Sequence, residues 1–158
     1  YSLTLKNSRL KKLTSSYGIN VSPAVSPDSG YIAFVSDRGG SHQIYIMRRD
    51  GSDVKKITFE GSYNTSPCWS PKGDKIIFAG RRGTNQIFMV NPDGTGLTQL
   101  TSQGNNEDPS FSSDGRYITF TSDREGGKGI YIMRANGENQ KRITPRNLKA
   151  YAPRWAPM

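Results

Sequence analysis

The sequence predicts an all-β protein: a β-propeller of four-stranded antiparallel blades, with three complete blades and partial blades at both ends. Three observations predict it. First, the chain repeats itself. "SPDSGYIAF" at 26–34 aligns with "SPKGDKIIF" at 70–78 and "SSDGRYITF" at 112–120, and the prolines Pro23, Pro67, Pro109 and Pro153 lie 44, 42 and 44 residues apart. Second, each repeat holds four short runs rich in β-branched and aromatic residues, bounded by Ser-Pro-Asp, Asp-Gly or Asn-Gly turn signals. Third, no stretch keeps a helical period. Four strands in a repeat of roughly 40–45 residues is the pattern of a propeller blade.

The elements follow in order. Residues 1–14, "YSLTLKNSRLKKLT", fit only the third and fourth strands, C and D, of a blade. Full blades are expected over 21–58, 65–101 and 108–144. In each, strand A follows the opening proline, at Ala24-Val25, Cys68-Trp69 or Ser110-Phe111. Strand B is Tyr31–Val35, Lys75–Ala79 or Tyr117–Thr121, and strand C is Gln43–Met47, Gln86–Val90 or Gly129–Met133. An Asp-Gly or Asn-Gly turn leads into strand D, which closes on Ile57-Thr58, Leu100-Thr101 or Ile143-Thr144. Residues 151–158, "YAPRWAPM", fit the first strand of a further, closing blade. Strands A and C run the same way, so pairing 152–156 with 1–6 would make a parallel contact inside an antiparallel blade. The expectation is therefore an open arc, the carboxyl-terminal part of a larger propeller.

Composition narrows function. The 158 residues carry a net charge of +9. The lysine pairs recur at one place in the repeat, as Lys11-Lys12, Lys55-Lys56 and Lys141-Arg142. That placement reads as protection of an exposed strand edge rather than as a nucleic-acid footprint. No apolar run approaches the roughly 20 residues of a membrane helix, so no direct membrane insertion is expected. The single cysteine, Cys68, excludes an internal disulfide and a multi-cysteine metal site. No cofactor or metal is expected. Asp50-Gly51-Ser52-Asp53 lacks the spacing of a calcium loop. Asn105-Asn106-Glu107-Asp108 is richer in oxygen ligands but reads more simply as a polar loop ending in Pro109.

Catalytic signals are absent. His42 is the lone histidine, in the loop "RGGSHQ", and "GGSHQ" lacks the last glycine of a nucleophile elbow. Ser-Asp-Arg occurs at 36–38 and 122–124, with Gly80-Arg81-Arg82 between. A repeated triplet reads as scaffold, the Asp accepting turn N–H groups and the Arg bridging to a neighbour.

A binding face is expected where the repeats differ. The A–B and C–D turns are alike; the D–A connections and B–C loops are not, and these two sets emerge on one face of the disc. That face carries Tyr17, Asn20, Tyr63, Asn64, Thr65, Asn105, Asn106, Glu107, Asp108, Lys149 and Tyr151. Tyrosines with amides and mixed charge suit a protein interface.

The repeat "SPDSGYIAFVSDRGGSHQIYIMRRDGSDVKKIT" resembles that of the TolB-like propeller family, and the ending "YAPRWAP" is similar to that family's closing segment. The resemblance covers essentially the whole chain and implies a six-bladed parent propeller. It implies a non-catalytic place in the periplasmic Tol–Pal system, binding the lipoprotein Pal and other Tol proteins, and supporting outer-membrane integrity, cell division and protein transport. The family's amino-terminal α/β domain and the first part of its propeller have no counterpart in this sequence. The repeat also occurs in accessory propellers of serine peptidases and related hydrolases, which is the alternative reading. A partial propeller is further expected to self-associate through its exposed blade faces.

Overall fold

The computed structural model describes residues 1–14 and 18–156 and shows strands and turns without a helix among them. The amino-terminal hairpin pairs β1 (Ser2–Thr4) with β2 (Arg9–Lys11). The first blade is β3 (Asn20–Val25), β4 (Tyr31–Ser36), β5 (Gln43–Arg48) and β6 (Lys55–Lys56). The second is β7 (Asn64–Trp69), β8 (Ile76–Arg82), β9 (Thr84–Val90) and β10 (Thr98–Gln99). The third is β11 (Asn106–Phe111), β12 (Tyr117–Ser122), β13 (Gly129–Arg134) and β14 (Lys141–Arg142). Each blade is an antiparallel meander in chain order.

Strand B alternates between the two neighbouring blades, as a period of two requires. In the middle blade Ile76 and Phe78 join Val35, Ile44 and Ile46 of the first blade. Ile77 and Ala79 join Phe111, Ile118 and Phe120 of the third. On the outer side of the first blade Ile32, Phe34, Tyr45 and Met47 form a third cluster with Leu13, so the core among the described residues is a set of apolar layers, each where one sheet faces the next.

The turns carry the stacking further. Gly51, Gly94 and Gly137 close the C–D turns at φ 92°, 88° and 90°, a conformation that favours glycine. A Cβ at these positions would lie 2.7 Å from Leu13 O, 3.2 Å from Ile57 O and 3.1 Å from Leu100 O. Each glycine therefore serves both the turn and the close approach of the preceding blade.

Strand A is longer than the sequence signals. It starts at Asn20, Asn64 and Asn106, ahead of the proline, and contains a bulge where register shifts between Val21 and Ala24, Thr65 and Cys68, or Glu107 and Ser110. The residue before each proline takes positive φ: Ser22 51°, Ser66 53°, Asp108 52°. The bulge twists strand A and lets its two halves serve different neighbours. Its central proline has no N–H to lose from the ladder.

Residues 151–156 form no strand pairing in this structure, which differs from the A strand expected there. The local path is nonetheless that of strand A. Ala152, before Pro153, has φ 53°, and Trp155 Nε1 donates to Ser110 O at 3.2 Å as Trp69 Nε1 donates to Ala24 O at 3.0 Å. What is lacking is an adjacent B strand. β1 pairs with β2 alone, and the described residues make an open arc, not a closed ring.

Candidate functional site

The meander places the B–C loops and D–A connections on one face, and a repeated polar clamp supports it. In the first blade Gln43 Oε1 accepts from Thr58 Oγ1 (2.6 Å) and Asn64 Nδ2 (2.7 Å), while Gln43 Nε2 donates to Gly61 O (2.9 Å). In the second, Gln86 Oε1 accepts from Thr101 Oγ1 (2.8 Å) and Asn106 Nδ2 (2.9 Å), and Gln86 Nε2 donates to Gly104 O (2.8 Å). The threonine that ends each repeat also accepts the strand-C amide of Ile44, Ile87 or Ile130. One buried amide thus ties strand C, the end of D and the next strand A together, with every partner satisfied.

The Ser-Asp-Arg triplets complete the support. Asp37 accepts Ile19 N at 2.8 Å and Asp123 accepts Asn105 N at 2.7 Å. Arg38 lies over Phe34 and Tyr45 and donates to Ser36 Oγ and Asn20 Oδ1. Arg124 lies over Phe120 and Tyr131 and donates to Ser122 Oγ, Asn106 Oδ1 and Gln140 Oε1. These are scaffold roles, as the repetition indicated. The Asn105 amide and side chain hold the Asp123 carboxyl below its usual range.

Against this frame the expected face residues divide. Asn64 and Asn106 are buried, at 3% and 0% exposure, and spend their side chains on the clamp. They hold the face from beneath rather than form its surface. Asn20 is half-buried and accepts from Arg38 at 2.8 Å. Thr65 and Asp108 are half-buried in the A-strand bulges. Tyr17 lies outside the described residues. Tyr63 (42% exposed), Lys149 and Tyr151 (71%) are exposed.

Two clusters result. The Tyr63 and His42 rings meet at a tilt of 38° with centroids 4.8 Å apart, and the two residues form an isolated parallel bridge just ahead of β5 and β7. Between the second and third blades, Glu107 accepts from Asn85 Nδ2 at 3.0 Å and pairs with Lys128 at 2.7 Å, beside Asn105 and Asp123. Glu107 raises the Lys128 ammonium above its ordinary value. His42, Asn85, Lys128 and the ion pair of Glu60 with Arg82 (2.9 Å) belong to the face and carried no sequence signal beyond lying in B–C or D–A segments. Towards the disc axis the three A strands line a cavity of about 460 Å³, with Ser22, Ser66, Pro67, Ser110 and Arg154 among its walls. Cys68 borders it too, and burial pushes its thiol pKa up, away from reactive thiolate.

Comparison with known proteins agrees with this architecture. The chain is 44% identical over 134 residues, 84% of its length, to a TolB homologue of Chlorobium luteolum. It is 48% identical over 72 residues, 46% of its length, to the Tol-Pal system protein TolB of Geobacter sulfurreducens. It spans only 30% and 17% of those relatives. A solved TolB structure from Agrobacterium tumefaciens superposes with a TM-score of 0.79 at 29% identity, covering 88% of this chain and 52% of that one. A puromycin-hydrolysing peptidase of Mycobacterium tuberculosis has a similar fold at 17% identity, TM-score 0.68, covering 80% of this chain and 22% of that one. The TolB beta propeller domain family matches residues 1–158, the full length of the chain. With its blade repeat, open meander topology and clamp network, the chain belongs to the TolB β-propeller domain family.

Proposed function

We propose that this chain is part of a TolB-type propeller that binds the lipoprotein Pal through its B–C and D–A loop face. It does so in the periplasm, without catalysis, alongside other Tol proteins, and in support of outer-membrane integrity and cell division. With this reading goes the division of the chain into a C–D hairpin over 1–14, blades over 21–58, 65–101 and 108–144, and the opening strand of another blade over 151–158.

One observation carries the reading: a rigid, internally satisfied clamp beneath a face whose exposed residues differ from blade to blade. Such a face meets a partner already organised, so little ordering cost is added on binding. Tyr63 on His42, the Glu107–Lys128 pair, and Lys149 with Tyr151 supply aromatic and charged contacts at separate points. Glu107, Asp108, Thr65, Asn20 and Asn105 contribute by edge and backbone position. The accessory-propeller alternative rests on likeness of fold alone.

The test is titration of purified Pal into the full-length protein. Tyr63→Ala is expected to weaken binding by about 1 kcal/mol or more. Lys72→Glu, on the opposite face, should leave affinity within about 0.5 kcal/mol. Equal losses from both would remove the reason for choosing this face.

A further inference from the structure

The third blade lacks the clamp that supports the other two, and three positions change together. Gln43 and Gln86 are replaced by Gly129; Lys56 and Gln99 by Arg142; Asn64 and Asn106 by Ala150. A Cβ on Gly129 would lie 2.6 Å from Arg142 Cζ and 2.7 Å from its Nε and Nη2, so the guanidinium fills the space that a side chain at 129 would need.

From there Arg142 keeps the contact that Gln99 makes to the repeat-ending threonine and adds two that neither counterpart makes. Gln99 Nε2 reaches Thr101 O at 2.7 Å, and Lys56 lies over the Phe59 ring. Arg142 Nε donates to Thr144 O at 3.0 Å, and its Nη2 donates to Pro145 O and Leu148 O at 3.3 Å each. Gathering three carbonyls needs the planar, several-donor geometry of a guanidinium; an ammonium on a flexible stem does not reproduce it. The same connection is held further by Leu148 N on Pro145 O and by Ala150 N on Lys128 O, both 3.1 Å. Directly after these anchors come the exposed Lys149 and Tyr151.

We propose that Arg142 is a positioning residue: occupying the space left by Gly129, it fixes the 144–150 connection and thereby sets how Lys149 and Tyr151 are presented to the protein partner. This rests on the loop-face reading above. The exchange of Gln, Lys or Gln, and Asn for Gly, Arg and Ala is then one coordinated substitution. It gives up a buried amide hub and gains a shaped loop specific to this blade.

The test uses the full-length protein with Arg142→Lys and the triple variant Gly129→Gln, Arg142→Gln, Ala150→Asn, which rebuilds the clamp of the other blades. Three quantities are read: the unfolding midpoint, amide hydrogen exchange over 144–151, and affinity for Pal. Arg142→Lys is expected to speed exchange over 144–151 and to weaken Pal binding by roughly threefold or more. The triple variant should recover the unfolding midpoint but not the affinity. Unchanged exchange in Arg142→Lys, or recovery of affinity by the triple variant, would overturn the proposal, because any clamp would then serve. Lys149→Ala and Tyr151→Ala separate the two readings. If neither affects Pal binding, the loop-face reading fails in this blade, and exchange over 144–151 alone decides whether Arg142 shapes the connection.

Discussion

Tyr131 carries a buried hydroxyl with no hydrogen-bond partner among the described residues, and Arg142 Nη1 is in the same state. Burial, with the Glu125 carboxylate nearby, raises the tyrosine pKa. The ring itself is well used: it sits 5.8 Å from Phe120 beneath the Arg124 guanidinium. At the corresponding place the second blade has Phe88, stacked on Phe78 under Arg82. Tyr131→Phe keeps the ring and removes an uncompensated polar group, so chemical denaturation should show stability unchanged or raised by up to about 2 kcal/mol. A loss above about 1 kcal/mol would mean that the hydroxyl is bonded after all. At this scale the sequence was legible where chemistry repeated and misleading where repetition was overlooked. Ser-Asp-Arg reads as scaffold because it recurs. Asn20, Asn64 and Asn106 recur just as regularly, three residues before a proline, yet their polar surroundings in sequence resemble those of exposed loop residues. Burial of Asn64 and Asn106 depends on a partner amide about 20 residues away, and only the fold brings Gln43 to the one and Gln86 to the other, while Asn20 meets Arg38.

The turns are the elements most exposed to pH. In the A–B turn of the third blade, Asp114 accepts from Ser112 Oγ, Arg116 N and Arg116 Nε. These bonds lower its pKa from 3.8 to about 2, the Ser112 hydroxyl contributing most. Asp28, Asp50 and Asp93 are lowered for the same reason, by Ser26, Ser52 and Thr95 and their turn amides. A carboxyl whose folded pKa is depressed stabilises the fold above its unfolded value and loses that contribution as pH falls through the folded one. For Asp114 the window runs from 3.8 down to about 2. Acid titration of the unfolding midpoint should therefore show a decline across that window which Asp114→Asn flattens; an identical decline in the variant would remove the turn carboxylate from the account. These elements were legible, because Ser-Pro-Asp and Asp-Gly are local chemistry. The front half of strand A was not. Its residues are polar, its bulge precedes a proline, and its pairing with strand B is decided by the neighbouring blade rather than by its own pattern.

As a whole the molecule is an arc with two unlike ends. At one end Leu3, Leu5 and Leu10 of the amino-terminal hairpin are exposed, at 56%, 87% and 61%. At the other, Tyr117, Ile143, Leu148 and Trp155 are exposed on the third blade and the segment after it. Beside Tyr117, Ile132 and Met133 line a groove of about 530 Å³. Its counterpart between the first and second blades is bordered by Tyr31, Ile46 and Trp69. The same side chains that bury against a neighbouring blade inside the arc thus meet solvent at its end. Apolar patches of this kind associate, and because the two ends differ, the contact joins one copy's end to another's beginning, a heterologous contact that extends unless its rotation closes. The isolated chain should therefore self-associate in sedimentation at concentrations of about 10–100 μM, where surfaces of this size begin to pair. Ile143→Lys should shift the distribution towards monomer without lowering the unfolding midpoint, since the residue is already half in water. A chain that stays monomeric across that range, with Ile143→Lys indistinguishable from it, would mean that the end faces are too polar or too mobile to dock. The basic residues on the outermost strands act in the opposite direction. Lys55, Lys56 and Lys141 lie on β6 and β14, so edge-to-edge pairing of blades is opposed by like charge, leaving the blade faces as the route of association.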